Sequence, residues 1–374
     1  MSEVKNDISG KRKGLRFIMA GGGTGGHIFP AVAIAHAIKA IVPDAEILFV
    51  GAKGKMEMEK VPQAGYKIEG LDIAGFNRSS LIKNIGLPWK MLKSFLQVRS
   101  IFKRFQPHAV IGVGGYSSFP VLRFAQSKGI PTFIHESNSF AGKSNMLLGK
   151  RATKIFVAID GMERFFPANK IVISGNPVRS AIADNKTDRA TAVKSFGFNP
   201  DLKTVLSIGG SLGAKSINEA LAAHLSDFSN QKLQLIWQTG KPFAEQGKAA
   251  AAAYKNVWVS DFIQQMDLAY AAADVVISRS GAMSVGELSV MAKPAVFVPY
   301  PFAAEDHQTV NASRLVEKDA AMLIKDADAQ AQLVATVISL VQDEEKCNRF
   351  IKNITPLGIR NADVIVANEI LNNI

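Results

Sequence analysis

The chain has 374 residues, 47% of them apolar and 20% charged, and 44 Lys and Arg against 32 Asp and Glu give a formal net charge of +12. Such a composition is globular and leaves no room for a large disordered tract, and the length suits two ordinary domains rather than one. The lone Cys347 excludes an intrachain disulfide or a zinc cluster. The polar N-terminus lacks the apolar core of a secretory signal, and no run reaches the ~18–20 apolar residues that span a bilayer, so a cytoplasmic protein is expected.

The first predicted strand, 15–20, runs into Gly21-Gly-Gly-Thr-Gly-Gly-His27 and then a helix over 28–40. Without side chains in the way a ligand can approach the backbone N–H groups, and the helix start adds unpaired donors and the positive end of its dipole. The turn therefore reads as an anion cradle with the titratable His27 beside it. Next come a strand over 46–50, a connecting region, a helix over 87–105 and a strand over 109–112. A second glycine turn, 112–118, opens a helix over 120–127, and the strand 131–135 leads into Glu136-Ser-Asn138. Strands over 154–158 and 170–173 then end at Gly175-Asn-Pro-Val-Arg179, where Asn-Pro marks a turn and a domain boundary.

The pattern restarts at the strand 204–208, which leads into Gly209-Gly-Ser-Leu-Gly213 and a helix over 214–221. Strands over 234–238, 257–259, 275–278 and 295–298 alternate with helices, followed by a Pro-rich loop and a helix over 307–318. The last segment, 361–371, is apolar at helical spacing and must pack on something. Alternation of strand and helix in both halves predicts an α/β protein of two parallel-sheet domains, which bind ligands at the carboxyl ends of their strands.

Charge is distributed unevenly. No Asp or Glu occurs from Ile73 to His135, whereas Arg78, Lys83, Lys90, Lys93, Arg99, Lys103, Arg104, Arg123 and Lys128 are all basic. Over 76–105 these bases alternate with Trp89, Leu92, Phe95, Leu96 and other apolar residues, as in helices that lie on acidic lipid. The interfacial reading is preferred over a solvated helix face on a core, and no nucleic-acid motif accompanies the charge.

Gly21, Gly23 and Gly26 match the dinucleotide pattern G-x-G-x-x-G, but the second strand ends in Val-Gly-Ala without the acid that would hold an NAD ribose. Ala141-Gly-Lys-Ser144 lacks the upstream glycine of a P-loop, and Asp326-Ala-Asp328 sits in a polar stretch rather than at a strand end, so neither a phosphate loop nor a metal site is specified. No cofactor is expected. More specific is Ser278-Arg-Ser-Gly281-Ala-Met-Ser-Val-Gly-Glu287, in which a strand ends in a Ser-Gly turn. N–H groups at Ala282, Met283 and Ser284 could bind a diphosphate, and Glu287 one turn on could accept both hydroxyls of a ribose diol.

Together these motifs, with Gly114-Gly-Tyr-Ser117, His135-Glu-Ser-Asn138, Gly175-Asn-Pro-Val-Arg179 and His307-Gln308, resemble the nucleotide-sugar glycosyltransferases of GT-B architecture, two Rossmann-like domains facing across a cleft. Within that class the order resembles the bacterial enzymes that move N-acetylglucosamine from its UDP donor to undecaprenyl-linked lipid I, forming lipid II. The resemblance implies domains over 1–175 for the acceptor and membrane, 176–355 for the UDP-sugar, and a 356–374 helix returning to the first. It implies that the Phe262-Ile263 backbone reads uracil, that Ser211 and Ala282 to Val285 with Gly286 line the diphosphate, that Glu287 takes the ribose, and that Gln308 takes the sugar hydroxyls. Arg179 and Asn138 would complete the donor site, while Thr24, Gly25 and Gly26, with Tyr116 and Ser117, would face the acceptor diphosphate.

The implied chemistry is one inverting displacement at the anomeric carbon by the muramyl 4-hydroxyl, with His27 or Glu136 as the base and no metal. UDP-N-acetylglucosamine, lipid I, an anionic membrane surface on the cytoplasmic side and cell-wall synthesis proteins are the implied partners, with no nucleic acid. His307 stands where some members have Gln, and Ser137 where Gln is common. A diacylglycerol glycosyltransferase, a UDP-sugar 2-epimerase and a non-catalytic nucleotide-sugar binding protein share the donor half and are the rival readings.

Overall fold

The computed structural model describes residues 14–73, 87–210 and 212–374. They divide into two compact units, the first reaching Val178 and taking in Asn361–Ile374, the second comprising Arg179–Arg360.

The first unit is built on a parallel sheet ordered β3-β2-β1-β4-β5-β6-β7. Its strands are β1 Arg16–Ala20, β2 Glu46–Ala52, β3 Lys67–Leu71, β4 Ala109–Gly112, β5 Thr132–Glu136, β6 Lys154–Val157 and β7 Ile171–Ile173. Phe17 and Met19 of β1 enter one core with Ile34 and Ile38 of the helix Gly25–Ile41. Ile18 and Ala20 enter the other, with Val98, Ile101 and Phe102 of the helix Leu87–Phe105. That alternation is the period of two of a strand buried on both faces, and explains why β1 is apolar from Phe17 to Ala20. Val366, Ala367, Ile370 and Leu371 of the helix Ala362–Asn372 belong to the same core as Ile34 and Ile38, so the end of the chain closes the first unit.

The second unit repeats the plan, with order β10-β9-β8-β11-β12-β13. The strands are β8 Thr204–Ile208, β9 Gln234–Gln238, β10 Val257–Ser260, β11 Val275–Ser278, β12 Ala295–Phe297 and β13 Met322–Leu323, all parallel. In both sheets the strand order reverses beside the first strand, between β1 and β4 and between β8 and β11. Loops leaving the carboxyl ends of these strands flank the crevice where such sheets take ligands. All four are the glycine or Ser-Gly turns read from the sequence.

The helix after β1 starts at Gly25 rather than at residue 28, with Pro30 inside it, so the last two glycines of the turn form its first residues. β3 and the helix Glu57–Gln63 occupy what reads as a connecting region, because Lys67-Ile-Glu-Gly-Leu is a mixed edge strand and the helix is short and contains Pro62. The break between units falls after Val178, beyond residue 175, since Asn176 donates from Nδ2 to the Ser137 carbonyl at 3.0 Å and so belongs to the first unit. The second unit runs on past residue 355 to Arg360, which donates to the carbonyls of Ala183 and Val290.

Candidate active site

The first glycine turn is tightly built. Gly21 N–H donates to the Val50 carbonyl at 3.2 Å and Gly22 N–H to the Gly114 carbonyl at 3.2 Å. Gly23 N–H goes to Oε2 of the buried Glu57 at 2.7 Å. The expectation that the whole turn is an open anion cradle is thus corrected: three of its amides are consumed inside the protein. The N–H groups of Thr24, Gly25 and Gly26, at the start of the helix Gly25–Ile41, have no described acceptor and are the donors left for a ligand.

His27 sits in that first turn, half-buried. Its Nδ1 lies 3.0 Å from the Gly22 carbonyl and 3.5 Å from Thr24 Oγ1. A carbonyl only accepts, so this contact requires a proton on Nδ1. Nε2 lies against Gly114, where a Cβ would approach it to 2.8 Å.

The second turn crosses the first. A Cβ on Gly115 would stand 2.4 Å from the Gly22 carbonyl oxygen, and Gly115 has φ +88, so only glycine fits there. Ser118 Oγ donates to the Ala20 carbonyl at 2.7 Å and pins the helix Ser118–Ser127 to the end of β1. Tyr116 is exposed beside it, and Ser117 Oγ is buried without a hydrogen-bond partner among the described residues.

Glu136 closes β5 and is buried. Oε1 accepts from Asn138 N–H at 3.1 Å and Asn138 Nδ2 at 3.3 Å, and Oε2 from Gly142 N–H at 3.1 Å and Asn145 Nδ2 at 2.9 Å. Four donors fill the acceptor capacity of a carboxylate, so Glu136 braces the loop carrying Asn138 and has no lone pair to spare for a substrate proton. Its neighbour His135 is fully enclosed, with Nε2 3.3 Å from the Gly175 carbonyl. Burial brings its pKa down to about 4, which keeps the ring neutral.

In the second unit the turn after β8 is held by Gly213 N–H donating to the Gly210 carbonyl at 3.0 Å, and a Cβ on Gly213 would meet the Thr239 carbonyl. Ser211 lies outside the described residues, as do residues 74–86 of the basic stretch. After β11, Gly281 caps the helix Ala282–Val290. Met283 and Ser284 present first-turn N–H groups with no carbonyl a turn behind them, whereas Val285 N–H already goes to the Gly281 carbonyl at 3.0 Å. Of the residues expected to line a diphosphate, Val285 therefore has its N–H already taken within the helix.

Glu287, on that helix, is buried and has partners in the protein. Arg179 reaches Oε1 from Nε at 3.0 Å and Nη2 at 2.9 Å, and Tyr270 donates its hydroxyl to Oε2 at 2.9 Å. Burial pushes the Glu287 carboxyl up, against Arg179 and Tyr270, which pull it down. Gln308 Oε1 accepts Tyr300 N–H at 3.0 Å, leaving its amide NH2 for a ligand. Ile263 is buried, and its neighbour Phe262 is half exposed. Asp326, in the D-x-D stretch, is paired with Arg279 and Ser216, and serves as a structural anchor.

Two family models match. The glycosyltransferase family 28 N-terminal domain covers residues 17–157 and the family 28 C-terminal domain residues 204–358. The chain belongs to glycosyltransferase family 28. Family 28 relatives match it along nearly their whole length. A Bacteroides fragilis protein is 48% identical over 371 residues, covering 98% of each chain. A Bacteroides thetaiotaomicron protein is 50% identical over 363 residues, covering 96% of this chain and 98% of that one. Both are named UDP-N-acetylglucosamine--N-acetylmuramyl-(pentapeptide) pyrophosphoryl-undecaprenol N-acetylglucosamine transferase. Among solved structures, Acinetobacter baumannii MurG superposes with a TM-score of 0.79 at 28% identity, covering 96% of this chain and 99% of that one.

Within this family 28 fold the first unit brings Thr24, Gly25, Gly26, His27, Tyr116 and Ser117 to the switch point of its sheet. The second places Ala282, Met283 and Ser284 at one helix start, with Arg179 bonded to Glu287 further along that helix. Sequence reasoning missed Tyr270 and Glu57. Tyr270 lies in the apolar run Met266–Ala272 and reads as core, and Glu57 lies in a short helix without a motif. A buried partner for each was the only available signal, and it exists only once the chain is folded.

Proposed function

We propose that the protein transfers N-acetylglucosamine from UDP-N-acetylglucosamine to the muramyl 4-hydroxyl of lipid I, with inversion, to give lipid II. The observation that carries this is identity of 48% over 98% of both chains with a relative named for that transfer. It favours the transfer over the epimerase, diacylglycerol transferase and sensor readings. The second unit is read as the UDP-sugar half: Arg179 and Tyr270 hold Glu287 toward the ribose diol, the Met283 and Ser284 amides take the diphosphate, and the Ile263 backbone takes the base. Gln308 serves the sugar, while Ser211 and Asn138 keep the donor-side roles that the motifs suggest.

The first unit is read as the acceptor half, with Thr24, Gly25 and Gly26 donating to the acceptor diphosphate beside Tyr116 and Ser117. His27 is the base. Its Nδ1–H is spent on Gly22, so Nε2 is free to take the proton from the 4-hydroxyl as the C–O bond to the anomeric carbon forms and UDP leaves. Negative charge growing on the leaving diphosphate is met by helix-start amides. Incubation with UDP-N-acetylglucosamine and a short-chain lipid I analogue tests the reading. Acceptor-dependent UDP release is expected, and a donor epimerised without acceptor would refute it.

We also propose that the first unit docks on anionic lipid. Among the described residues no helix is long and apolar enough to cross a membrane. Trp89, Leu92 and Leu96 are exposed at 72%, 53% and 60% along one side of the helix Leu87–Phe105, whose opposite side is core. Arg99, Lys103 and Lys128 border an open cavity of about 620 Å³ with Phe124 at its wall. Exposed apolar residues beside cations suit an interface carrying negative headgroups, where the lipid-linked acceptor resides and where cell-wall synthesis proteins would be met.

A further inference from the structure

We propose that Glu57 is a positioning residue for His27, acting through the peptide group shared by Gly22 and Gly23. This rests on the reading of His27 as the base. The one amide is gripped from both sides: Gly23 N–H donates to Glu57 Oε2 at 2.7 Å, and the Gly22 carbonyl accepts from His27 Nδ1 at 3.0 Å. An amide whose N–H is bonded to a carboxylate is polarised and accepts more strongly at its oxygen, so carboxylate, peptide and imidazole form one cooperative chain. A peptide thus stands between His and acid, where catalytic triads use direct contact.

The fold spends much on this arrangement. Glu57 is 1% exposed, and its Oε1 is anchored by Ala52 N–H at 2.9 Å. Gly22 and Gly51 make room for it, because a Cβ on the first would lie 2.3 Å from its Cδ and on the second 2.5 Å from its Cγ. A buried carboxylate beside a helix start that is to bind a diphosphate works against anion binding. Holding the base offsets that cost.

Two consequences follow for His27. The Nδ1–H tautomer is fixed, since the other tautomer would set a lone pair against the Gly22 oxygen. The imidazolium formed when Nε2 takes a proton keeps its Nδ1–H on Gly22 and is favoured by the Glu57 charge behind the peptide; no proton moves to Glu57. Among the described residues, His135 at the end of β5 also acts on His27, and it is held neutral above about pH 4. Glu136, one residue on, is turned into the loop of Asn138 and Asn145. The helix Ala362–Asn372, packed on the same core as the His27 helix, contributes apolar side chains to it.

The test is nitrogen NMR on 15N-histidine protein, with the His27 signals assigned by their loss in His27→Ala, alongside the pH profile of kcat/KM. In the wild type His27 is expected as the Nδ1–H tautomer. In Glu57→Gln the tautomers are expected to mix, the acidic limb to move to lower pH, and kcat to fall about 10-fold with the UDP-N-acetylglucosamine KM within about 2-fold. Glu57→Asp, which keeps a carboxylate, is expected to fall between. A folded Glu57→Gln with wild-type tautomer and limb overturns the proposal, and so does an Nε2–H tautomer in the wild type, whether or not any variant folds. Normal kcat in His27→Ala would remove the base assignment instead, leaving the tautomer result to stand.

Discussion

Arg179 and Glu287 meet through a single oxygen: Nε and Nη2 of the guanidinium both reach Oε1, at 3.0 Å and 2.9 Å, and Oε2 is left to Tyr270 and to whatever binds. The carboxylate is thereby oriented before a ribose arrives. Glu287→Ala is expected to weaken UDP binding by roughly 10- to 100-fold, the worth of one or two charge-assisted hydrogen bonds. It should also abolish the preference for UDP over its 2′-deoxy form, measured by calorimetry. Because burial raises the Glu287 carboxyl above 4.5, binding to wild type should fall on acidification earlier than an ordinary carboxylate would allow. Equal affinity for both nucleotides in the wild type would contradict this.

His27→Ala should lower kcat by at least about 100-fold with little change in the KM for donor, since the ring acts on the acceptor hydroxyl. Steady-state kinetics at saturating donor read this out. Glu136→Gln, which removes an acceptor from the loop brace, should show itself in thermal stability as well.

Acidification should also unload the fold through His135. The unfolded ring titrates near 6.5 and the folded one near about 4, so between these values the unfolded chain binds a proton that the folded chain refuses. Stability is therefore full above the unfolded value and falls as pH drops toward the folded one, by roughly 3 kcal/mol in all. Urea unfolding at about pH 7 and about pH 5 should show the loss, and His135→Gln should flatten it.

Gly115→Ala places a Cβ 2.4 Å from the Gly22 oxygen at φ +88. Neither backbone can yield without moving the Gly22–Gly23 peptide that His27 Nδ1 contacts, so a loss of at least about 2 kcal/mol is expected, with loss of activity. Thermal melts and turnover of the same preparation measure both.

Binding to vesicles containing acidic lipid should weaken about 10-fold when Trp89 and Leu96 are both changed to Glu, and should fall as salt is raised from about 0.1 M to about 0.5 M. Co-sedimentation decides it, and unchanged binding would remove the docking face.

Much of this architecture was legible because the parallel strands are apolar on both faces and end in glycine turns. The three Gly-rich turns, Ser280-Gly281 and Glu287 announced themselves through residue type and spacing alone. What could not be read was which amides remain free. Glu57 consumes Gly23 N–H from a helix more than thirty residues downstream, and Glu136, a plausible base by sequence, is saturated by Asn138, Gly142 and Asn145. Tyr270 has the look of core because it is core, except for a hydroxyl aimed at Glu287. Hydrogen-bond saturation is a property of the folded neighbourhood, and local pattern carries no record of it.

The most direct measurement is the structure of the product made from UDP-N-acetylglucosamine and a short-chain lipid I analogue, by mass and proton NMR. One disaccharide per UDP released is expected, with N-acetylglucosamine β-linked to the muramyl 4-oxygen. An α linkage, or sugar found on water or another hydroxyl, would contradict the single displacement assisted by His27.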